Sequence, residues 1–327
     1  MTINPRAKAG WADRIGRRIK LRDLHILQAV AQQGSIAKAA RHLAVSQPVI
    51  SKVIGDLERE LGRPLLDRDR RGAEPTVYGA ALLKHGLAVF DELRQSVTEI
   101  EHLADPTTGE LRIASHEVMA AAFLAAAIKL LHQRHPSFTV HVKLSVAVDV
   151  RYRELRDRNV DLILGRILIP FEEEDFDTEV LFNEPTVIVA GTRNRWTRRR
   201  KIGLADLINE PWVFPAAGSI AERIAKEIFK SSGLEIPRRG VVWAGMPMHG
   251  ALVANGPYLT MLPGSLVHFG GTHLSVKVLP VRVPVPPSPV GMITLKRRTI
   301  NPVAARFIEC AREVAKSFSA RPQPLRP

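Results

Sequence analysis

The stretch Ser35-Ile-Ala-Lys-Ala-Ala-Arg-His-Leu-Ala-Val-Ser-Gln-Pro-Val-Ile-Ser-Lys-Val-Ile-Gly-Asp-Leu-Glu-Arg-Glu-Leu-Gly-Arg-Pro-Leu-Leu66 decides the fold of the N-terminal part of the chain. It reads as two short amphipathic helices with a tight break between them, followed by a basic turn. Ser35 and Ser46 stand where the helices begin, each with a hydroxyl able to cap free amides. Pro48 falls in the first turn of the second helix, where a missing N–H costs little. Gly62 ends that helix. Ile50, Ile54, Leu57 and Leu61 follow helical spacing and make one apolar face. Gln47, Pro48, Ser51 and Lys52 remain as a compact polar face at the helix start. In a helix-turn-helix, that part of the second helix enters the major groove of DNA.

Upstream, the spacing predicts a helix over residues 21–33 that buries Leu24, Leu27, Val30 and Ala31 and ends at Gly34. The helix from Ser35 to Ala44 carries Ala39 and Ala40, small enough for a close crossing, and Leu43 for the core. Residues 1–19 read as a loose basic arm. Downstream, Leu65 and Leu66 should start a short strand, residues 70–73 its tip, and residues 75–77 the return strand, which makes a wing. Arg68, Arg70 and Arg71 on such a wing suit phosphate or minor-groove contact, where a bare basic turn would be only a solvated face. The local balance favours contact, with 15 Lys and Arg against 8 Asp and Glu in residues 1–77. A long helix should then run from Val77 to about Leu103. Leu83, Phe90 and Val97, with Leu93 and Ile100, make an apolar seam interrupted by Gly86. A lone helix does not bury such a seam without a partner, so pairing with a second subunit is expected, the alternative being packing onto its own domain. Asp105-Pro-Thr-Thr-Gly109 reads as a hinge.

The whole chain allows more than one domain. It has 327 residues, 45% of them hydrophobic, a formal charge of +14 and a pI near 10.4. That balance points to a polyanionic partner, with nucleic acid the first candidate. Cys310 is the single cysteine, which excludes an internal disulfide and a cysteine-rich metal site. The first residues lack the apolar core of a secretory signal, and no run reaches the length of a membrane span. The expected place is the cytoplasm, at the nucleoid. The common catalytic signatures are missing: no H-E-x-x-H, no G-x-x-x-x-G-K-[ST] and no G-x-S-x-G occurs. No catalytic residue, cofactor or metal is expected.

From Glu110 onward, strand-like and helix-like segments alternate, which implies an α/β domain with largely parallel sheets. Strands are expected near residues 111–114, 138–146, 161–164, 178–182 and 185–190, with helices near 119–135 and 150–158. A second set follows over residues 212–279. The proline-rich run 281–289 is an extended crossover, 290–295 a returning strand and 302–317 a closing helix. Gly191-Thr-Arg-Asn-Arg-Trp-Thr-Arg-Arg-Arg-Lys201 carries six basic residues. It reads as a solvated loop or subunit contact in the crossover between two lobes, with a nucleic-acid patch as the other reading.

The run from Ser35 to Ser51, followed by Leu57-Glu58, Leu61-Gly62, Pro64-Leu-Leu-Asp-Arg68 and Thr76-Val-Tyr-Gly79, resembles the winged helix-turn-helix of the LysR-type transcriptional regulators. The resemblance spans roughly residues 20–104. It implies DNA contact at Ser35, Gln47, Pro48, Ser51 and Lys52, and a dimer formed by the long helix. Leu66 stands where the family often has Phe. Val53 stands where it often has a polar or basic residue, so one DNA contact would be missing. Arg153-Glu-Leu-Arg-Asp-Arg-Asn-Val-Asp-Leu-Ile-Leu164 and Leu252-Val-Ala-Asn-Gly-Pro-Tyr-Leu-Thr-Met-Leu-Pro263 are similar to the family's effector domain, which has the two-lobed architecture of periplasmic binding proteins.

The expected organisation is therefore an arm (1–19), a winged helix-turn-helix (20–77), a linker and dimerisation helix (78–104), a hinge (105–109), a two-lobed α/β effector domain (110–319) and a tail (320–327). Lobe I is expected over 110–190 and 290–319, and lobe II over 191–289. Dimerisation falls to Leu83, Phe90, Leu93, Val97 and Ile100. DNA binding falls to Ser35, Ser46, Gln47, Pro48, Ser51, Lys52, Arg68, Arg70 and Arg71. Ligands of open α/β sheets lie at strand carboxyl ends and helix N-termini. That points to Ser115, His116, Ala147, Val148, Arg166, Ser219, Met246 and Met248 for the effector. Where many relatives carry Ser or Thr, this loop reads Val146-Ala-Val-Asp149. Hydroxyl donors for a carboxylate are missing there, and Asp149 is left for a sugar hydroxyl or for solvent. The expected partners are double-stranded promoter or operator DNA, a small-molecule effector, a homodimer or homotetramer, and RNA polymerase, with no membrane. The competing reading is a cytoplasmic solute-binding protein or enzyme whose N-terminal helices only oligomerise. The polar face at residues 47–51 beside an Arg-rich wing separates the two, because oligomerisation does not require it.

Overall fold

The computed structural model describes residues 18–69, 72–167, 171, 173–237, 240–242, 246–270 and 275–319. The chain divides inside a single long helix into two units, Met1–Arg94 and Gln95–Pro327. The sequence instead suggests divisions at the two ends of that helix. Apart from Arg18 and Ile19, the expected arm lies outside the described residues, as does the expected tail.

In the first unit, α1 (Leu21–Gln33), α2 (Ile36–His42) and α3 (Gln47–Leu61) wrap one core. Gly34 and Gly62 end α1 and α3 in the left-handed conformation. The fully buried layer is Leu27, Val30, Ala39, Ile50, Ile54 and Leu57, so the small alanines of α2 do permit the close crossing. The buried face of α1 is Ile26, Leu27, Ala29 and Val30; the expected Leu24 and Ala31 are only half-buried, with Leu24 beside Gly86 of the long helix. Strands β1 (Leu66–Asp69) and β2 (Gly72–Pro75) pair antiparallel, from Leu66 opposite Pro75 to Asp69 opposite Gly72. The wing is therefore shorter than the sequence suggests. Thr76 belongs to no return strand, because its hydroxyl accepts the Gly79 N–H (3.1 Å) and starts α4 (Val77–Ala104). The wing is also fastened to α1. The Ala73 N–H donates to the Gly34 carbonyl (2.9 Å), and a Cβ on Gly72 would lie 2.3 Å from that same oxygen.

The seam on α4 is not continuous. Leu83 packs against the first unit's core, and Phe90 meets His25 edge-on at 6.1 Å. Leu93, Val97, Ile100 and Leu103 are exposed. Within the first unit Leu83 and Phe90 thus already bury part of their apolar surface, as the alternative of packing onto the helix's own domain expects, while Leu93, Val97 and Ile100 keep theirs exposed.

Among the described residues, the second unit holds two five-stranded sheets. The first is built from β3 (Gly109–Ser115), β4 (Phe138–Leu144), β5 (Leu162–Arg166), β6 (Phe176–Glu184) and a returning strand near the C-terminus. Helix α5 follows β3 as Glu117–Met119, a π-helical turn Ala120–Leu124 and Ala125–Arg134, and α6 is Val148–Arg156. The second sheet is built from β7 (Thr186–Gly191), β8 (Trp212–Phe214), β9 (Gly240–Val242), β10 (Leu259–Pro263) and β11 (Val276–Val278). It carries α7 (Ile220–Ser231), α8 (Met246–Asn255) and α9 (Gly264–Gly270). β12 (Ser288–Leu295) then returns to the first sheet, and α10 (Pro302–Ser319) closes that lobe. The strand orders are β4-β3-β5-β12-β6 and β11-β7-β10-β8-β9.

These orders correct the expected lobe boundaries. β7 belongs to the second lobe, so the first crossing lies at Pro185, and the return is complete by Ser288. Pro185 has no N–H to extend the first sheet, and the apolar run Val187–Ala190 after it is buried in the second. The basic run 191–201 accordingly lies within the second lobe and not in a crossover. Ala122 of the π-turn, Val187 and Val189 of β7, Leu262 and Leu266 form a small cluster that ties the lobes together.

Candidate functional site

Two regions of the chain hold the candidate functional side chains, one in each unit. In the first unit, Gln47 opens α3 and Pro48 follows in its first turn. Ser46, Gln47, Pro48 and Lys52 are exposed, and Ser51 and Ser35 are half-buried. Ser35 and Ser46 occupy the N-cap positions, but neither side chain makes the expected capping hydrogen bond. Both hydroxyls are thereby left to bond elsewhere. Val53 packs against the domain core, which explains an apolar residue at that point of the helix. Glu58 ties the wing to α3: one carboxylate oxygen accepts the Leu65 and Leu66 amides (2.9 and 3.3 Å), and the other meets Arg68 (3.2 Å). Arg70 and Arg71 lie outside the described residues.

In the second unit, a cavity of about 110 Å³ opens between the lobes. Its first-lobe wall is His116, Glu117, Val118, Val146, Arg151 and Arg166. Its second-lobe wall is Pro215, Ala216, Ser219, Ile220, Ala221 and Met261–Pro263. Of the effector residues expected from sequence, His116, Arg166 and Ser219 are brought together here. Ser115 lies just behind, fully buried, with its hydroxyl donating to the Leu164 carbonyl (2.8 Å). Ala147, Val148 and Met248 do not line the cavity: Ala147 is the N-cap of α6, Val148 packs into a neighbouring core, and Met248 is exposed. In the 146–149 loop it is Val146, not its successors, that lines the cavity. Met246 begins α8, and its side chain lies outside the described residues.

Arg151 escaped the sequence reading. It is buried, and its guanidinium donates to the carbonyls of Ser145 and Val146, the second at 3.1 Å. A single arginine one turn into a polar helix gives no sequence signal. Arg166 pairs with Glu184 (3.3 Å), a fully buried carboxylate that also accepts a hydrogen bond from Ser265. Burial pushes the Glu184 carboxyl up from its usual range, against the pull of Arg166 and Ser265. His116 is held at about 3 by burial first and then by the positive charges of Arg151 and Arg166. It is therefore neutral near pH 7. Its Nδ1 accepts the Met119 N–H (3.3 Å), so the ring proton is on Nε2. On the opposite wall, Ser219 caps α7 by accepting the Glu222 N–H (3.1 Å). Ile220 and Ala221 bring the first turn of α7, whose amides lack intrahelical acceptors, to the cavity. Donors thus outnumber the single carboxylate, Glu117, in the polar lining, and the remaining walls are mainly apolar.

Among the described residues, no group of three or more His, Cys, Asp or Glu side chains could hold a metal ion. No described helix is long and apolar enough to cross a membrane.

Comparison with known proteins places both units. Residues 21–80 match the family model "Bacterial regulatory helix-turn-helix protein, lysR family", and residues 104–316 match "LysR substrate binding domain". The chain is 26% identical over 324 residues to the HTH-type transcriptional regulator GbpR of Azospirillum brasilense, covering 98% of this chain and 94% of that protein. It is 31% identical over 249 residues to the HTH-type transcriptional regulator YofA of Bacillus velezensis, covering 76% of this chain and 82% of that protein. Among solved structures it is similar in fold to full-length CbnR in complex with its target DNA, with a TM-score of 0.60 and 24% identity over 90% of this chain and 100% of that one. A full-length OxyR variant from Pseudomonas aeruginosa gives a TM-score of 0.61 at 23% identity, covering 90% of this chain and 97% of that one.

Proposed function

Because the chain belongs to the LysR family of bacterial transcriptional regulators, and is thus a DNA-binding regulator with a C-terminal effector domain, we propose which residues do each part of the work. Gln47, Pro48, Ser51 and Lys52 at the start of α3 meet the bases, the Ser35 and Ser46 hydroxyls meet phosphates, and the wing at Arg68, Arg70 and Arg71 sets register. The exposed part of α4, at Leu93, Val97 and Ile100, pairs with a second copy in a dimer or a dimer of dimers. The place of work is the nucleoid, in the cytoplasm.

The effector is a small organic anion with an apolar body. The observation behind this reading is the donor-rich lining: His116 Nε2–H, two arginines and the first turn of α7 meet around one cavity that also holds a single carboxylate, Glu117, and apolar walls at Val118, Val146, Ile220 and Met261. Binding without turnover fits the same groups. The Ser115 hydroxyl is engaged with a carbonyl, the Ser219 hydroxyl caps a helix, and His116 uses its free lone pair on Met119, so no nucleophile stands beside a base.

A thermal-shift series on the full chain tests this reading, using small carboxylates and phosphates, each beside its neutral amide or ester of the same shape. Anions should raise the melting temperature in proportion to saturation and their neutral counterparts should not. Equal shifts from the neutral compounds, or none from any anion, would overturn the anionic assignment.

A further inference from the structure

The second lobe carries a basic surface that neither the α3 face nor the cavity uses. Outside residues 1–77 the chain has 32 Lys and Arg against 25 Asp and Glu, and residues 193–201 alone hold six cations and no acid. Nearly all of the excess positive charge of that part of the chain is thus concentrated in one short segment. The segment is framed rather than loose. Asn194 accepts the Trp196 N–H (3.0 Å) and donates to the Pro257 carbonyl (3.1 Å). The Thr197 hydroxyl lies 2.8 Å from the Asn194 carbonyl, and Trp196 packs against the second lobe's core. Arg195 is spent locally, over the Trp196 ring and against Glu210.

Arg193, Arg198, Arg199, Arg200 and Lys201 are exposed, and none of them forms an ion pair with another described residue. Two cations from far along the chain join them. Lys277 of β11 donates to the Thr197 carbonyl (2.8 Å), and the parallel bridge between Ile202 and Val281 brings the backbone at Arg282 beside the end of the run.

We propose that this face is a second DNA-binding surface, which grips the phosphate backbone without reading bases. Three features select that partner. Arginine outnumbers lysine in the run, and its planar fork suits phosphate oxygens. No large apolar side chain is exposed among the described residues from 186 to 242, so the face lacks the apolar centre of a protein interface. The chain is already a DNA-binding protein, so once the N-terminal unit is bound, phosphates are presented to the rest of the molecule at high effective concentration. The rigid frame lowers the entropy cost of binding.

The test measures how the affinity of the full chain for a labelled duplex of about 60 base pairs changes with salt, from about 50 to 200 mM. The wild type is compared with Arg198→Ala/Arg199→Ala/Arg200→Ala/Lys201→Ala. The slope of log affinity against log salt should fall by about 2–4 in the variant, near 0.9 for each phosphate that is no longer neutralised. At the lowest salt its binding should weaken by about tenfold or more. The pair Arg199→Gln/Arg200→Gln should give about half that change and guards against a folding defect in the quadruple variant. Lys52→Ala/Arg68→Ala, in the other unit, should lower the slope independently, and the two decreases should add. Slopes equal to wild type in both basic-run variants would overturn the proposal and leave the face to an acidic protein.

Discussion

The start of α3 and the cavity between the lobes handle polar groups in opposite ways. On α3, Ser46, Gln47, Pro48 and Lys52 face outward, and the capping hydroxyls make no bond to the helix ends they flank. In the cavity, Arg166 leans on Glu184, Arg151 on two carbonyls and His116 on the Met119 amide. As the proposed DNA-reading face, the first surface would meet its partner directly, with groups that give up only water. As the proposed effector site, the second would bind by exchange, because a ligand must compete with or add to partners already in place. A reader of many DNA sequences gains from unspent donors. A switch gains from a pocket that is stable empty and strained little by filling, since only a difference in binding between two states does work.

That contrast breaks or sharpens under mutation. The largest effect is expected at the paired end. Arg166→Ala strands Glu184 in the interior with only Ser265, and should cost about 3–5 kcal/mol in chemical denaturation of the second unit. Adding Glu184→Gln should return most of it. If Arg166→Ala alone is neutral, the pair is not a structural part of the pocket.

Next is acid sensitivity. The folded His116 titrates at about 3, below its unfolded value near 6.5. Its neutral form therefore supports the fold above about pH 6.5, and stability should fall by ~1.4 kcal/mol per pH unit from there towards 3. The raised Glu184 carboxyl acts in the other direction in acid, so the comparison that isolates the histidine is His116→Gln. That variant should show a flatter melting temperature between pH 7.5 and 5.5. The same slope as wild type would remove His116 from the buried pocket wall.

The smallest effect lies in the wing. Glu58→Gln keeps an acceptor for the Leu65 and Leu66 amides but drops the half-exposed pair with Arg68. Stability should change by less than about 1 kcal/mol, as read from thermal melts. A larger change would mean that the carboxylate charge itself holds the wing.

How far the sequence foretold these sites follows from how each is built. The α3 face is local: its apolar and polar positions lie within one helix, and the period, Pro48 in the first turn and Gly62 at the end all agree, although the Ser46 hydroxyl makes no capping bond. The seam on α4 has an apolar period, but period does not say which neighbour covers which turn, and Leu83 and Phe90 lie in part against the first unit's own residues. The cavity gathers residues from 116 to 263, and its walls depend on which residue of a loop turns inward. That is why Val146 was missed beside Ala147 and Val148, and why Arg151 gave no signal. The lobe boundary was misplaced by a few residues because alternation marks strands but not the sheet they join. Pro185 was the available clue, as a residue that ends pairing at the point where β6 gives way to β7.

The most direct test of base reading by the α3 face is the ratio of affinities for the chain's own upstream operator and a scrambled duplex, measured for wild type and Gln47→Ala across one salt series. Removing a base-reading side chain should cut that ratio by tenfold or more, about 1–3 kcal/mol, while leaving the salt slope unchanged. An unaltered ratio, with weakening equal on both duplexes, would contradict base reading by this face and reduce it to a phosphate contact.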